Sequence, residues 1–139
     1  VSARTKARKR ALDILYAADM RQITVPQALA TEAERAAGEP AREASWLYAR
    51  EIVDGIVDHQ VEIDELIETY AQGWTLKRMP AIDRALLRIG IWEILFNDEV
   101  PDGVAISEAV EAATVLSTDD SAGFVNGLLA KIAQVRPTD

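Results

Sequence analysis

Cysteine is absent, histidine occurs once, and aromatic residues make up only 6% of the 139 residues. Without cysteine the chain can build neither a disulfide framework nor a thiolate metal site, which suits a reducing compartment such as the cytoplasm. His59 has no metal-spaced partner and reads as an exposed or capping residue. No G-x-S-x-G turn or phosphate-cradling glycine loop is present, and the seven glycines are scattered. Acids at 62, 64, 65 and 68 recur at helical spacing opposite Ile63, Leu66 and Ile67, as a solvated face does. Together these gaps predict no catalytic residues and no metal. Long uncharged runs are missing too: none exceeds the ten residues between Asp120 and Lys131, about half of a membrane-spanning helix. Asp13 and Asp19 interrupt the apolar stretch that a signal peptide would place after the basic start. A soluble protein that is not exported is the expectation.

Acidic residues are also missing where the cations are densest. The first ten residues hold Arg4, Lys6, Arg8, Lys9 and Arg10 and no acid, so the chain's net charge of −8 leaves −13 on the other 129 residues. Spread evenly, such a charge would repel nucleic acid; one third of the 15 cations sit at one end instead. The cluster reads as a polyanion-binding patch, against the plainer alternative of a solvated basic tail.

The five prolines, at 26, 40, 80, 101 and 137, fall between or near the ends of apolar-periodic segments. Ile63, Leu66, Ile67 and Tyr70 follow the i, i+3, i+4, i+7 rule, and no long period-2 alternation competes. The pattern predicts an all-α chain with helices over about 4–20, 26–37, 42–58, 60–71, 81–97, 104–116 and 120–135. Gly38 and Gly73 are expected as left-handed residues after two of these helices, and Asp102 and Asp119 as N-caps. At this length one compact domain, 1–139, is the default. The 81–97 segment is apolar nearly all round, so it must be central and buried, with Asp83, Arg84 and Arg88 on a narrow polar strip suited to surface pairing.

On the first helix Ala7, Ala11, Ile14, Leu15 and Ala18 gather on one side, and Lys6, Lys9, Asp13 and Tyr16 on the other. Cations that follow phosphates beside a ring that stacks an unpaired base suit single-stranded nucleic acid; the alternative for Tyr16 is a ring half-buried against a neighbouring helix. In the last helix Phe124, Val125, Leu128, Ile132 and Val135 form the apolar face. Gly123 and Gly127 leave a shallow strip edged by Phe124, Asn126 and Lys131. Glycine within a helix costs about 0.5 to 1 kcal/mol relative to alanine, so the strip calls for a close approach, by another helix or by a nucleotide backbone.

The order and spacing of these groups resembles the NusB family of bacterial transcription antitermination factors over nearly the whole chain. Ala7, Arg8, Ala11, Leu12, Leu15 and Tyr16 match at the start, and Asp83, Arg84, Ala85, Leu87, Arg88, Ile89 and Glu93 in the buried helix. Val100 and Pro101, residues 104–110, Asp120 and Ser121, and the run Phe124, Val125, Asn126, Gly127 follow. The resemblance implies an all-α fold of two packed helical subdomains, no cofactor and a non-enzymatic role. It also implies binding to the boxA element of nascent ribosomal RNA leaders, together with NusE, a small-subunit ribosomal protein, within an RNA polymerase complex that resists termination. The implied RNA contacts are Arg4, Lys6, Arg8, Lys9, Arg10, Tyr16, Arg88, Asp120, Phe124, Asn126, Gly127 and Lys131, and the implied NusE surface includes Asp83 and Arg84. Ser107 and Thr114 depart from the usual asparagine and lysine, which lowers the positive charge near the site and weakens any partner contact through position 114.

The leading expectation is therefore a single-stranded RNA binder whose two ends fold together into one cationic, ring-bearing cradle. A homodimer formed through the basic helix and glycine strip is the competing reading. NusB-like domains also precede RNA cytosine methyltransferases; 139 residues have no room for a nucleotide-fold domain, so that reading requires these residues to be a piece of a longer chain.

Overall fold

The computed structural model describes residues 2–136, so Pro137 lies outside the described residues. These fold into seven α-helices: α1 (Ala3–Arg21), α2 (Val25–Ala37), α3 (Glu43–Asp58), α4 (Gln60–Tyr70), α5 (Ala81–Phe96), α6 (Asp102–Leu116) and α7 (Ser121–Val135). Single 3₁₀ turns at Pro40–Arg42 and Leu76–Arg78 precede α3 and α5, and no strand occurs among the described residues. The helix boundaries match those read from periodicity to within two residues. The chain divides into two compact units between Asp58 and His59.

In the first unit local chemistry starts each helix where the packing needs it. The Ser2 hydroxyl accepts the Thr5 N–H at 3.1 Å, and Thr24 and Gln27 close a reciprocal capping box, with Pro26 in the first turn of α2. Ala7, Ala11, Ile14, Leu15 and Ala18 are buried as the periodicity predicts, joined by Leu12. Short alanine side chains let α1 lie close along α3, which buries Tyr48, Ala49, Ile52, Val53 and Ile56, while α2 packs against both. Each fully buried aliphatic side chain contributes about 1.5 to 3 kcal/mol.

In the second unit α4, α6 and α7 pack against α5, which buries ten residues from Asp83 to Ile94. Gly90 permits the closest approach: a Cβ there would lie 2.7 Å from Leu129 Cδ1 on α7. Gly73 adopts the expected left-handed backbone (φ +91°), together with Gln72 before it (φ 48°). Three capping expectations are corrected. Gly38 is right-handed (φ −84°), and its N–H bonds back to the carbonyls of Ala36 and Arg35. Asp102 is the first helical residue after Pro101, and its carboxylate pairs with Arg136 instead of capping. At α7 the N-cap position belongs to Asp120, whose side chain makes no capping bond, and Asp119 lies one residue further out.

The largest correction concerns Asp83. Only 2% exposed, it belongs to no surface pair and offers no surface to a partner protein. Its carboxylate accepts the Ser117 hydroxyl at 2.5 Å and the Ser121 hydroxyl at 2.9 Å, fastening the start of α5 to the α6–α7 connection. A buried carboxylate must be bonded to be tolerated, and these two hydroxyls satisfy it. Asp83→Ala is expected to lower the unfolding free energy by about 2 to 4 kcal/mol in urea denaturation. A loss under about 0.5 kcal/mol would show that the carboxylate does not hold the connection.

Candidate nucleic-acid interface

In the first unit α1 presents Lys6, Lys9, Asp13 and Tyr16 to solvent, with Tyr16 39% exposed. Lys9 Nζ sits 2.7 Å from Asp13, but both side chains are more than half exposed, so solvent screens the pair and leaves the lysine available to a stronger anion. Arg4 and Arg8 take a different course. Their guanidinium carbons stand 4.6 and 6.0 Å from the centroid of the buried Tyr48 ring on α3. A guanidinium laid on a ring face is attracted by the ring's electrons and keeps its N–H groups in its own plane. Tyr48 escaped the sequence reading because only the packing of α3 against α1 brings it under the arginines.

Arg10 faces inward. With its side chain 14% exposed, it donates to the Ser45 hydroxyl at 3.1 Å, to Glu32 at 3.4 Å and to the Arg42 carbonyl at 3.4 Å. It joins α1 to α2 and to the start of α3, so its charge is already used within the fold. It also helps line a groove of about 680 Å³ with Lys6, Lys9, Arg35 and Arg42, against Asp13 and Glu32. This gives a cationic concavity on an acidic chain. Arg35 and Arg42 carry no sequence signal of their own, since each also stands three residues from a glutamate that it pairs with.

In the second unit α7 exposes Gly123, Asn126, Gly127 and Lys131, with Asp120 exposed at its start. A Cβ at either glycine would meet nothing within 4 Å, so within its own unit the strip is open and no helix of that unit approaches it closely. Phe124 is half-buried at the edge, its ring centroid 6.3 Å from that of Trp74 and tilted by 48°.

The two arginines of α5 do structural work. Arg88 donates to both carboxylate oxygens of Asp64, at 2.9 and 3.1 Å, with 19% of its side chain exposed. Arg84 Nη1 donates to the carbonyls of Leu76 at 2.8 Å and Met79 at 2.7 Å, holding the turn before α5. Both groups are turned toward neighbouring backbone or side chains, so a partner contact through Arg84 would compete with two short hydrogen bonds. Among the described residues no group of three or more His, Asp or Glu side chains is placed to hold a metal ion. Nor is any helix among them long and apolar enough to cross a membrane.

Comparison with known proteins places this geometry. The NusB family model matches residues 5–134. The transcription antitermination protein NusB of Leifsonia xyli is 82% identical over 139 residues, covering 100% of this chain and 96% of that protein. The solved structure of T. maritima NusB, 31% identical, superposes with a TM-score of 0.80 and covers 94% of this chain and 90% of its own. Antitermination factors NusB and NusE solved in complex with double-stranded RNA include a chain 27% identical, with a TM-score of 0.79 and coverage of 96% and 97%. With the family model spanning nearly its full length, this chain belongs to the NusB family.

Proposed function

We propose that this protein is a transcription antitermination factor that binds boxA-type single-stranded RNA of nascent ribosomal RNA leaders together with NusE. In that role it helps assemble RNA polymerase into a termination-resistant complex, in the cytoplasm, as one NusB-like module that catalyses no reaction. The observation that carries the reading is the exposed cationic face of α1, with Tyr16 on it, in an acidic chain whose relatives are antitermination proteins. A solved relative held with NusE and RNA supports the pair of partners. The homodimer alternative is not favoured by these relatives.

Each unit contributes its own patch. On α1, Lys6, Lys9, Arg4 and Arg8 meet phosphates and Tyr16 stacks a base. On α7, Phe124 offers a ring edge, Asn126 and Asp120 offer hydrogen-bonding groups to base edges, and Lys131 offers a charge beside the open strip at Gly123 and Gly127. Arg10 and Arg88 shape the patches from within. The acidic remainder disfavours loose binding of arbitrary RNA and leaves room for a basic partner.

With about four phosphates neutralised, affinity for boxA RNA should fall about 50-fold between 50 and 200 mM salt. Lys6→Ala/Lys9→Ala should flatten that slope by about half, and a single strand should bind more tightly than a duplex of the same sequence. A flat salt dependence, or unchanged binding by the double variant in a fluorescence titration, contradicts the reading.

A second expectation separates stability from binding. Because nothing crowds either glycine, Gly123→Ala/Gly127→Ala should raise stability by about 0.4 to 1 kcal/mol per site, while the added methyls block the strip and weaken RNA binding. Higher thermal stability with full RNA affinity would remove the strip from the interface.

A further inference from the structure

Trp74 has no part in the patches above, yet it is the most exposed ring system in the second unit. Half of it, 51%, is open to solvent, where tryptophan is usually mostly covered. Its backbone setting is specific. After α4 ends, Gln72 and Gly73 both take left-handed conformations (φ 48° and 91°), which reverse the chain and lift Trp74 clear of the helix. The following 3₁₀ turn, Leu76–Arg78, is held by Arg84 through the Leu76 and Met79 carbonyls, and Met79 is buried beneath it. The tryptophan is thus carried on a braced turn. Its ring contacts Phe124 at 6.3 Å between centroids, tilted by 48°, an arrangement in which the two rings support each other without covering each other's outer faces. Lys77 and Arg78, both exposed, follow within four residues.

We infer that Trp74 is a base-stacking residue: with Phe124 it forms a two-ring platform that receives an unpaired base, while Lys77 and Arg78 meet the adjoining phosphates. The inference rests on the RNA-binding reading above and extends it to a segment between α4 and α5. A large ring that already packs on a neighbouring ring gives up little further freedom when a base stacks on it, and stacking tolerates any base because every base has a π-face. Two exposed cations three and four residues further along the chain single out a nucleotide over an apolar peptide, which would gain nothing from them. Arg84 acts here as a positioning residue for the platform.

The test measures binding of labelled single-stranded boxA RNA, without any protein partner, to wild type and to Trp74→Leu, Trp74→Tyr and Lys6→Ala/Lys9→Ala. Leucine keeps apolar packing on Phe124 but has no π-face; tyrosine keeps the ring. Trp74→Leu should bind about tenfold more weakly and Trp74→Tyr within about twofold of wild type. RNA should quench the part of the emission that Trp74→Phe removes, since Trp46 and Trp92 remain in that variant. Abasic substitution along the RNA should reveal one position at which the leucine variant loses nothing further. If wild type binds, the lysine variant is weakened and Trp74→Leu matches wild type, stacking at Trp74 is overturned while the α1 patch stands. Failure of wild type to bind defeats the underlying reading itself. Should Trp74→Leu prove unstable to urea, the quenching and the tyrosine variant decide: no quenching, or a tenfold loss with tyrosine, overturns the inference.

Discussion

The second unit is organised by the requirement that α5 be enclosed. A helix apolar on almost every side cannot present a face to water, so α4, α6 and α7 must surround it, and its few polar side chains must find partners among those neighbours. Each does so at a different place. Asp83 fastens the α6–α7 connection, Arg84 braces the turn before α5, and Arg88 grips Asp64 on α4. At the far end Arg136 donates to the Ile94 carbonyl and pairs with Asp102, whose hydrogen bond and charge raise the arginine's pKa above its ordinary value. The polar strip therefore works as a set of inward struts, and what the unit offers to partners is displaced onto the elements those struts hold.

This explains which expectations were legible in the chain. Helices, their limits and the burial of α5 follow from apolar spacing over ten or more residues, a signal that tertiary structure seldom reverses at this strength. The exposed face of α1 was legible for the same reason: one helix defines both sides of itself. Roles that depend on a second element were not. Arg10 shares its charge and helix with Lys9, yet a turn of about 100° per residue points it at Ser45 and Glu32, and nothing local distinguishes the two. Asp83 looks like a first-turn acid favouring the helix dipole, and only the hydroxyls of Ser117 and Ser121, 34 and 38 residues away, turn it into a buried acceptor. Trp74 lies in a short aperiodic stretch where no pattern decides between core and surface.

The glycines carry the same lesson in opposite senses. Gly90 and Gly127 both sit inside helices with no positive φ to explain them. At Gly90 the missing side chain is filled by Leu129, a fully buried residue of α7, so the local cost is offset by close packing of two helices. At Gly127 the space stays open. A helix interior that forgoes a methyl group without internal packing in return leaves an open strip on its surface.

Cations and exposed rings occur in both units, a combination that suits a flexible polyanion. The first unit holds the cations of α1 and a basic groove, whose attraction acts over about a Debye length and weakens with salt. The second sets Phe124 and Trp74 among the cations Lys77, Arg78 and Lys131, and ring contacts of this kind are short-ranged and insensitive to salt. Attraction without stacking would hold any polyanion, and an acidic body opposes that; stacking without attraction would capture RNA too slowly to act on a transcript as it emerges. A strand that must be bound during synthesis therefore benefits from both, with the cations governing the rate of capture and the rings governing how long the complex lasts.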